Sequence, residues 1–173
     1  MLHAFAGKDG AYPASALIFD ATGHLYGTTI NGGGGAVNVC GIAGCGVAFK
    51  LSPPTGGGWK ETVLYPFDGG KNGKYPESNL VFDATGNLYG TTAQDGAPGS
   101  CKGHGCGAVF ELTPASGGTW TASTLHDFTM TDGANPSAGI TLDAAGNLYG
   151  TTQGGGKRGD GVVFQLSPAA QHK

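Results

Sequence analysis

The clearest pattern of apolar and polar positions is an alternation that occurs three times: Val47-Ala48-Phe49-Lys50-Leu51, Ala108-Val109-Phe110-Glu111-Leu112 and Val162-Val163-Phe164-Gln165-Leu166. Successive side chains of a strand point to opposite faces, so Phe and Leu share one face in every copy. The position between them is Lys50, Glu111 or Gln165, which predicts a strand, here called c, whose Phe/Leu face alone is a shared core face. Upstream, Ala16–Phe19, Asn79–Phe82 and Gly139–Leu142 are short runs with apolar residues on both faces. They predict a strand a buried on both sides. Strand b is Leu-Tyr-Gly-Thr-Thr at 25–29, 88–92 and 148–152; a glycine in mid-strand predicts close approach by another backbone or a bulky ring. Between a and b, Asp-Ala-x-Gly starting at Asp20, Asp83 and Asp143 predicts a hairpin whose carboxylate accepts local N–H bonds. After strand c, Pro/Gly-rich turns lead through Trp59 and Trp120 into strand d, where Val63, Tyr65 and Phe67, then Thr124, His126 and Phe128, alternate.

The order a, b, c, d recurs. Leu2-His3-Ala4-Phe5 matches Leu64–Phe67 and Leu125–Phe128, an interval of 62 and then 61 residues that suits one four-stranded propeller blade. The predicted fold is all-β, with three propeller-type blades in a single repeat domain 1–173: repeats at about 6–67, 68–128 and 129–168, plus an N-terminal strand at 1–5. His3 and His126 stand where strand d of the first repeat has Tyr65, which favours packed aromatics over metal ligands. The third repeat reaches Pro168 without a strand d, and Met1–Phe5 reads as the tail of one. Three blades are too few for a ring, which needs at least four. The expected partner is therefore a second copy, each chain lending its first strand to the other's last blade in a six-bladed homodimer. A piece of a longer array is the alternative.

Composition changes this picture little. The chain has 35 glycines and 9 prolines, but they recur at fixed places beside aromatic residues, as turn chemistry does. Charged residues make up 12%, the net charge is -3 and no Lys/Arg run occurs, which argues against nucleic acid or an anionic membrane as partner. No apolar run is long enough to insert into a membrane. The cysteines form two pairs of equal spacing, Cys40/Cys45 and Cys101/Cys106. An even count in such a chain predicts disulfides and an oxidising compartment, extracellular or cell-surface, although residues 1–20 carry no signal peptide. Zinc is the competing reading, since His104 lies between Cys101 and Cys106; it needs four ligands, and the first pair has no histidine in its loop.

The unit Asp-Ala-x-Gly-Asn-Leu-Tyr-Gly-Thr-Thr, followed by Gly-x-Val-Phe-x-Leu-x-Pro and Gly-x-Trp, resembles the GloVer-type tandem repeat of bacterial exported proteins. The resemblance covers almost the whole chain. It implies a propeller-like surface or secreted protein and brings no catalytic residues with it. The glycine-rich turn before Trp also resembles the Asp-box hairpin of sialidase-type propellers, but Pro54 and Ala115 stand where that pattern has its Asp.

With alternating strand directions, the d-to-a loops (7–13, 69–76, 129–136) and the b-to-c loops (30–45, 93–106, 153–160) share one face. Unequal loops on a rigid scaffold are where binding usually resides. The candidate binding residues are Tyr12, Tyr75 and Asn135, each just before a loop proline, with the turn residues Asp9, Asn72 and Asp132. Aromatic faces of this kind stack on sugars, and repeated sites give avidity, so the expected ligand is a glycan or another surface polymer. No catalytic residue, metal or cofactor is predicted. The alternatives are a propeller hydrolase or lyase with an axial site, for which only Glu77 stands at the start of a strand a, and a structural repeat that assembles through open blade edges.

Overall fold

A computed structural model describes residues 1–34, 37–94 and 101–167. Part of the second long loop, 95–100, and the expected stop of the third repeat at Pro168 lie outside the described residues. The strands form three antiparallel sheets in chain order. The first holds β1 (Ile18–Phe19), β2 (Leu25–Thr29), β3 (Val47–Ser52) and β4 (Lys60–Pro66). The second holds β5 (Val81–Phe82), β6 (Leu88–Thr92), β7 (Ala108–Pro114) and β8 (Trp120–Asp127), and the third β9 (Thr141–Leu142), β10 (Leu148–Thr152) and β11 (Val162–Leu166). These are strands a to d of the first two repeats and a to c of the third, and within each sheet neighbours in sequence are neighbours in space. Residues 1–5 belong to no strand; Phe5 packs edge-on against Phe49 with ring centroids 5.0 Å apart.

The mid-strand glycine has the role its position implies. Gly27, Gly90 and Gly150 pair directly with Phe49, Phe110 and Phe164 across the b–c ladder. The ring lies so close over the glycine that a Cβ on Gly90 would stand 2.6 Å from Phe110 Cζ. The sheets then stack as blades. One core cluster joins Tyr26, Ala48, Leu64 and Phe67 to Leu80, Leu88 and Phe110 of the second sheet. Another joins Tyr89, Val109, Leu125 and Phe128 to Ile140 and Leu148 of the third. Phe67 of strand d meets Phe110, and Phe128 meets Phe164, each edge-to-face at 5.1 Å, so the Phe/Leu face of the second and third blades looks toward the preceding one.

Two expectations change. The second face of strand c is also a core face where another blade follows: Glu111 is only 2% exposed, and its carboxylate accepts from the Ser123 hydroxyl (3.3 Å) and lies 2.9 Å from the Tyr89 hydroxyl, whose single proton it shares with Asp83. Strand charge was a poor guide here because stacking buries both faces of the middle sheet, and a buried carboxylate is tolerated when its oxygens are bonded. Strand a, expected over four residues and buried on both sides, is two residues long, and Phe19 is largely exposed. A side chain replaces its ladder. Ser78 Oγ accepts the Thr91 N–H at 2.8 Å and donates to the Thr91 carbonyl at 3.4 Å, and Ser15 does the same for Thr28. Ser78→Ala leaves the buried Thr91 N–H without its acceptor, and chemical denaturation should show a loss of about 1–3 kcal/mol. An unchanged midpoint would mean that the Ser78 hydroxyl does not take the place of the ladder.

Candidate functional site

The d-to-a and b-to-c loops do meet on one face. They are tied by three equivalent bridges, Ala11 to Asn31, Lys74 to Gln94 and Ala134 to Gly154. One residue after each bridge, Tyr12, Tyr75 and Asn135 adopt left-handed backbone conformations with φ of 56°, 58° and 56°. Such a conformation is costly for a residue with a side chain and persists where its surroundings hold it. Here the holding groups belong to two blades. The Tyr75 N–H donates to the Cys45 carbonyl (2.9 Å) of the preceding blade while its own carbonyl accepts from Ala93 (3.0 Å). Asn135 repeats this with Cys106 and Gln153. The Tyr12 side chain is 72% exposed. Tyr75 lies under the Lys74 ammonium, 5.5 Å from its ring centre, and the Asn135 amide donates to Gln153 Oε1 at 2.7 Å.

The other three candidates are engaged with the end of the preceding repeat. Asp9 Oδ2 lies 2.9 Å from His3 Nε2, Asp132 Oδ2 lies 3.1 Å from His126 Nε2, and the Asn72 amide donates to the Tyr65 hydroxyl at 2.8 Å. Each pair latches strand d, or the segment standing in its place, to the loop that follows. The Ala6 N–H and, against burial, the His3 ring hold the Asp9 carboxyl below the usual range. Burial raises Asp132, but the bonds from Thr129 and the charge of His126 outweigh it. The rings behave as packed aromatics: His3 on Phe5, Tyr65 on Phe67 and His126 on Phe128 all stack edge-to-face. Among the described residues His3, Asp9 and Glu61 are the one group that could hold a metal, with ligand atoms within 4.8 Å of one another. The His–Asp pair recurs at His126–Asp132 without a third acid, so latching explains it independently of any ion. Glu77, the acid at the start of strand a, is raised by burial and belongs to no such group.

Both cysteine pairs are disulfide-bonded, with Cα atoms 5.1 Å apart, so the thiolates that zinc would need are absent from these loops. The first pair closes a short helix (Val37–Cys40) and a 3-10 turn (Gly41–Ala43), the second a 3-10 turn (Cys101–Gly103). Beside the second lies an open cleft of about 500 Å³ whose lining includes Gln94, Cys101, His104, Met130, Ala134 and Asn135. Its floor, formed by Ala93, Cys106 and Ala134, is buried. At the equivalent junction one blade earlier, Lys74 stands in place of Ala134 and reaches across to donate from Nζ to the Val39 carbonyl of the disulfide loop at 3.3 Å. Ala134 has no side chain to span that gap. An aligned view of the repeats contains this difference, Lys74-Tyr75 against Ala134-Asn135, but only the folded loops show that it opens a space.

On the opposite face, the hairpin carboxylates Asp20, Asp83 and Asp143 act as caps. Asp83 Oδ1 accepts the Thr85 and Asn87 N–H groups at 2.8 and 2.9 Å, and Oδ2 accepts the Asn87 amide and the Tyr89 hydroxyl. With their oxygens committed in every repeat, these carboxylates are structural groups.

The repeat pattern also has relatives. The whole chain, residues 1–173, matches the model of the Gloeobacter/Verrucomicrobia repeat. It belongs to that repeat family. No curated protein matches it. Among solved structures, an X-ray structure described as a putative gluconolactonase aligns with 88% of this repeat protein at 17% identity and a TM-score of 0.47. The chain spans 47% of that protein's length. The two disulfides of this family member fit an oxidising environment, and no helix among its described residues is long and apolar enough to cross a membrane.

Proposed function

We propose that this repeat protein is a non-catalytic binding module, exported to the cell surface or beyond, that holds a glycan or similar polar polymer on its loop face. The observation that carries this reading is the cleft beside Cys101–Cys106. It is concave, has an apolar floor, and presents a few polar side chains, Gln94, His104 and Asn135, that can fix the orientation of a hydroxylated ligand. Tyr12, exposed on the same face, offers a ring for a further sugar unit, and weak contacts at neighbouring blades reinforce one another. The hairpin carboxylates are committed to their turns on the opposite face, and no pair among the described residues lining the cleft sets a nucleophile beside a base.

The test is a glycan array followed by titration of any ligand found, with Ala134→Lys as the diagnostic variant. A lysine there fills the gap as Lys74 does at the preceding junction and leaves the blades intact. Binding should fall at least ten-fold, about 1.4 kcal/mol or more. Absence of any bound glycan, or an affinity that Ala134→Lys leaves unchanged, overturns the reading.

A further inference from the structure

Each internal blade junction is built from the same set of contacts, and the two outer faces of the chain hold the two unmatched halves of that set. Toward the following blade, Tyr26 of the first sheet packs edge-on against Phe82 of the second, with centroids 5.0 Å apart. The Thr28 hydroxyl donates to the Ser78 carbonyl, and Thr91 likewise reaches Pro136 across the next junction. Gly46 and Gly107 lie so close under Pro76 and Pro136 that a Cβ on either would stand 2.7 or 2.6 Å from the proline ring. The N–H groups of Tyr75 and Asn135 complete the stitch to the carbonyls of Cys45 and Cys106.

On the first sheet the receiving members of this set are exposed. Leu17 is 46% exposed where its equivalent Leu80 is 0%, Phe19 is 67% exposed where Phe82 is packed under Tyr26, and Pro13 is exposed where Pro76 and Pro136 are buried. On the third sheet the donating members are exposed. Val163 is 82% exposed where Val109 is 0%, and Thr151 is exposed where Thr28 and Thr91 are buried. The outer edge of β11 carries no strand among the described residues, and a recess of about 210 Å³ whose lining includes His126, Phe128 and Asp132 as well as Phe164, Gln165 and Leu166 adjoins the strand. Residues 1–5, part of no strand in their own chain, hold the positions of the end of strand d: Leu2 is exposed where Leu64 and Leu125 are buried.

We propose that the partner for both faces is a second copy of this chain, docked head to tail so that the first sheet of each stacks on the third sheet of the other. Continuity with the internal junctions specifies the contacts. Tyr149 packs on the partner's Phe19, Gly161 underlies the partner's Pro13, and the Asp160 carbonyl accepts the N–H of the partner's Tyr12. The partner's His3 and Ala4 pair along Val163 and Val162, as His126 and Asp127 pair along Val109 and Ala108. Two copies give six blades, within the four to eight of closed propellers, whereas three would give nine. The edge of β11 and the apolar faces are then covered, which removes a template for aggregation. This assembly does not depend on the proposed ligand.

The test is the mass of the 173-residue chain by light scattering after gel filtration, with Phe19→Glu and Val163→Arg as separate variants. Both side chains are exposed in the single chain, so far-UV circular dichroism should be unchanged in each. The expected result is twice the 17.2 kDa of one chain, falling to a single chain in both variants. A wild-type monomer overturns the proposal. So does a dimer that responds to only one variant, because that signals one face pairing with itself, or a mass that keeps growing with concentration, because that signals an open filament.

Discussion

Phe110→Ala is expected to destabilise the protein by about 3–5 kcal/mol, the range for emptying a fully buried aromatic position. Phe110 is fully buried, lies over Gly90 across the b–c ladder and meets Phe67 of the preceding blade edge-to-face at 5.1 Å. Removing the ring therefore opens a cavity within the sheet and at the blade junction together. Glycine offers no side chain to refill it. The converse change tests the same contact: Gly90→Ala puts a Cβ 2.6 Å from Phe110 Cζ, against the edge of that buried ring, and should cost about 1–3 kcal/mol by overpacking. In a Phe110→Leu background the penalty of Gly90→Ala should shrink, since the obstructing ring edge is gone; contacting residues couple in this way. Urea denaturation of Phe110→Ala, Gly90→Ala, Phe110→Leu and the Phe110→Leu/Gly90→Ala double variant measures all three quantities. Strict additivity would mean that the glycine is there for another reason.

The legible parts of the fold are those that repeat with the same physical cause. Leu-Tyr-Gly-Thr-Thr announces a strand with a close approach at its glycine, and the approaching ring is the Phe of strand c in all three sheets. Asp-Ala-x-Gly announces a capped hairpin, and the cap forms three times. Cysteine pairing was readable from count and spacing. The misreadings arose where one repeat sees surroundings that its neighbours lack. Glu111 resembles the half-buried Lys50 and the exposed Gln165 in a single strand, but only Glu111 has a complete blade on one side, the third sheet on the other, and both Tyr89 and Ser123 within hydrogen-bonding reach. Strand a looked apolar on both faces, yet no composition rule shows that Ser15 and Ser78 replace part of its ladder with a side chain.

The candidate site divides in the same way. Sequence reasoning placed the variable loops on one face and singled out Tyr12, Tyr75 and Asn135 by their position before a proline. The structure gives Tyr75 and Asn135 a backbone duty between blades and sets Asp9, Asn72 and Asp132 in latches beside His3, Tyr65 and His126. Both duties can be met by dissimilar residue pairs, His with Asp or Tyr with Asn, so residue type alone conceals them. The cleft beside Cys101–Cys106 depends on what is missing at Ala134, and an absent side chain leaves no motif.

Asp83→Ala should cost about 2–3 kcal/mol at neutral pH, because it strips acceptors from the Thr85 and Asn87 N–H groups, the Asn87 amide and the Tyr89 hydroxyl together, and hydrogen bonds to a charged group are worth about 1.5–3 kcal/mol each before solvent and Glu111 compensate. The same bonds set its acid response. Burial raises Asp83, but the bonds from Asn87, Thr85 and Tyr89 outweigh it and hold the carboxyl below its ordinary value. Asp143, bonded by Asn147 and Tyr149, is lowered to about 2. A depressed carboxylate stabilises the fold above its unfolded pKa of about 3.9 and loses that contribution as pH falls through the folded value. The difference in stability between wild type and Asp83→Ala should thus be full at pH 6–7 and shrink steadily below about pH 4. The difference is the sharper readout than wild type alone, since burial raises Glu77 and Asp127 and so gives them a pH dependence of opposite sign. Urea titrations of both proteins at pH 7, 4 and 2.5 measure it. A gap that is as wide at pH 2.5 as at pH 7 would show that the Asp83 side chain acts through its shape and not through its charge, and the three hairpins would then owe nothing to their ionised carboxylates.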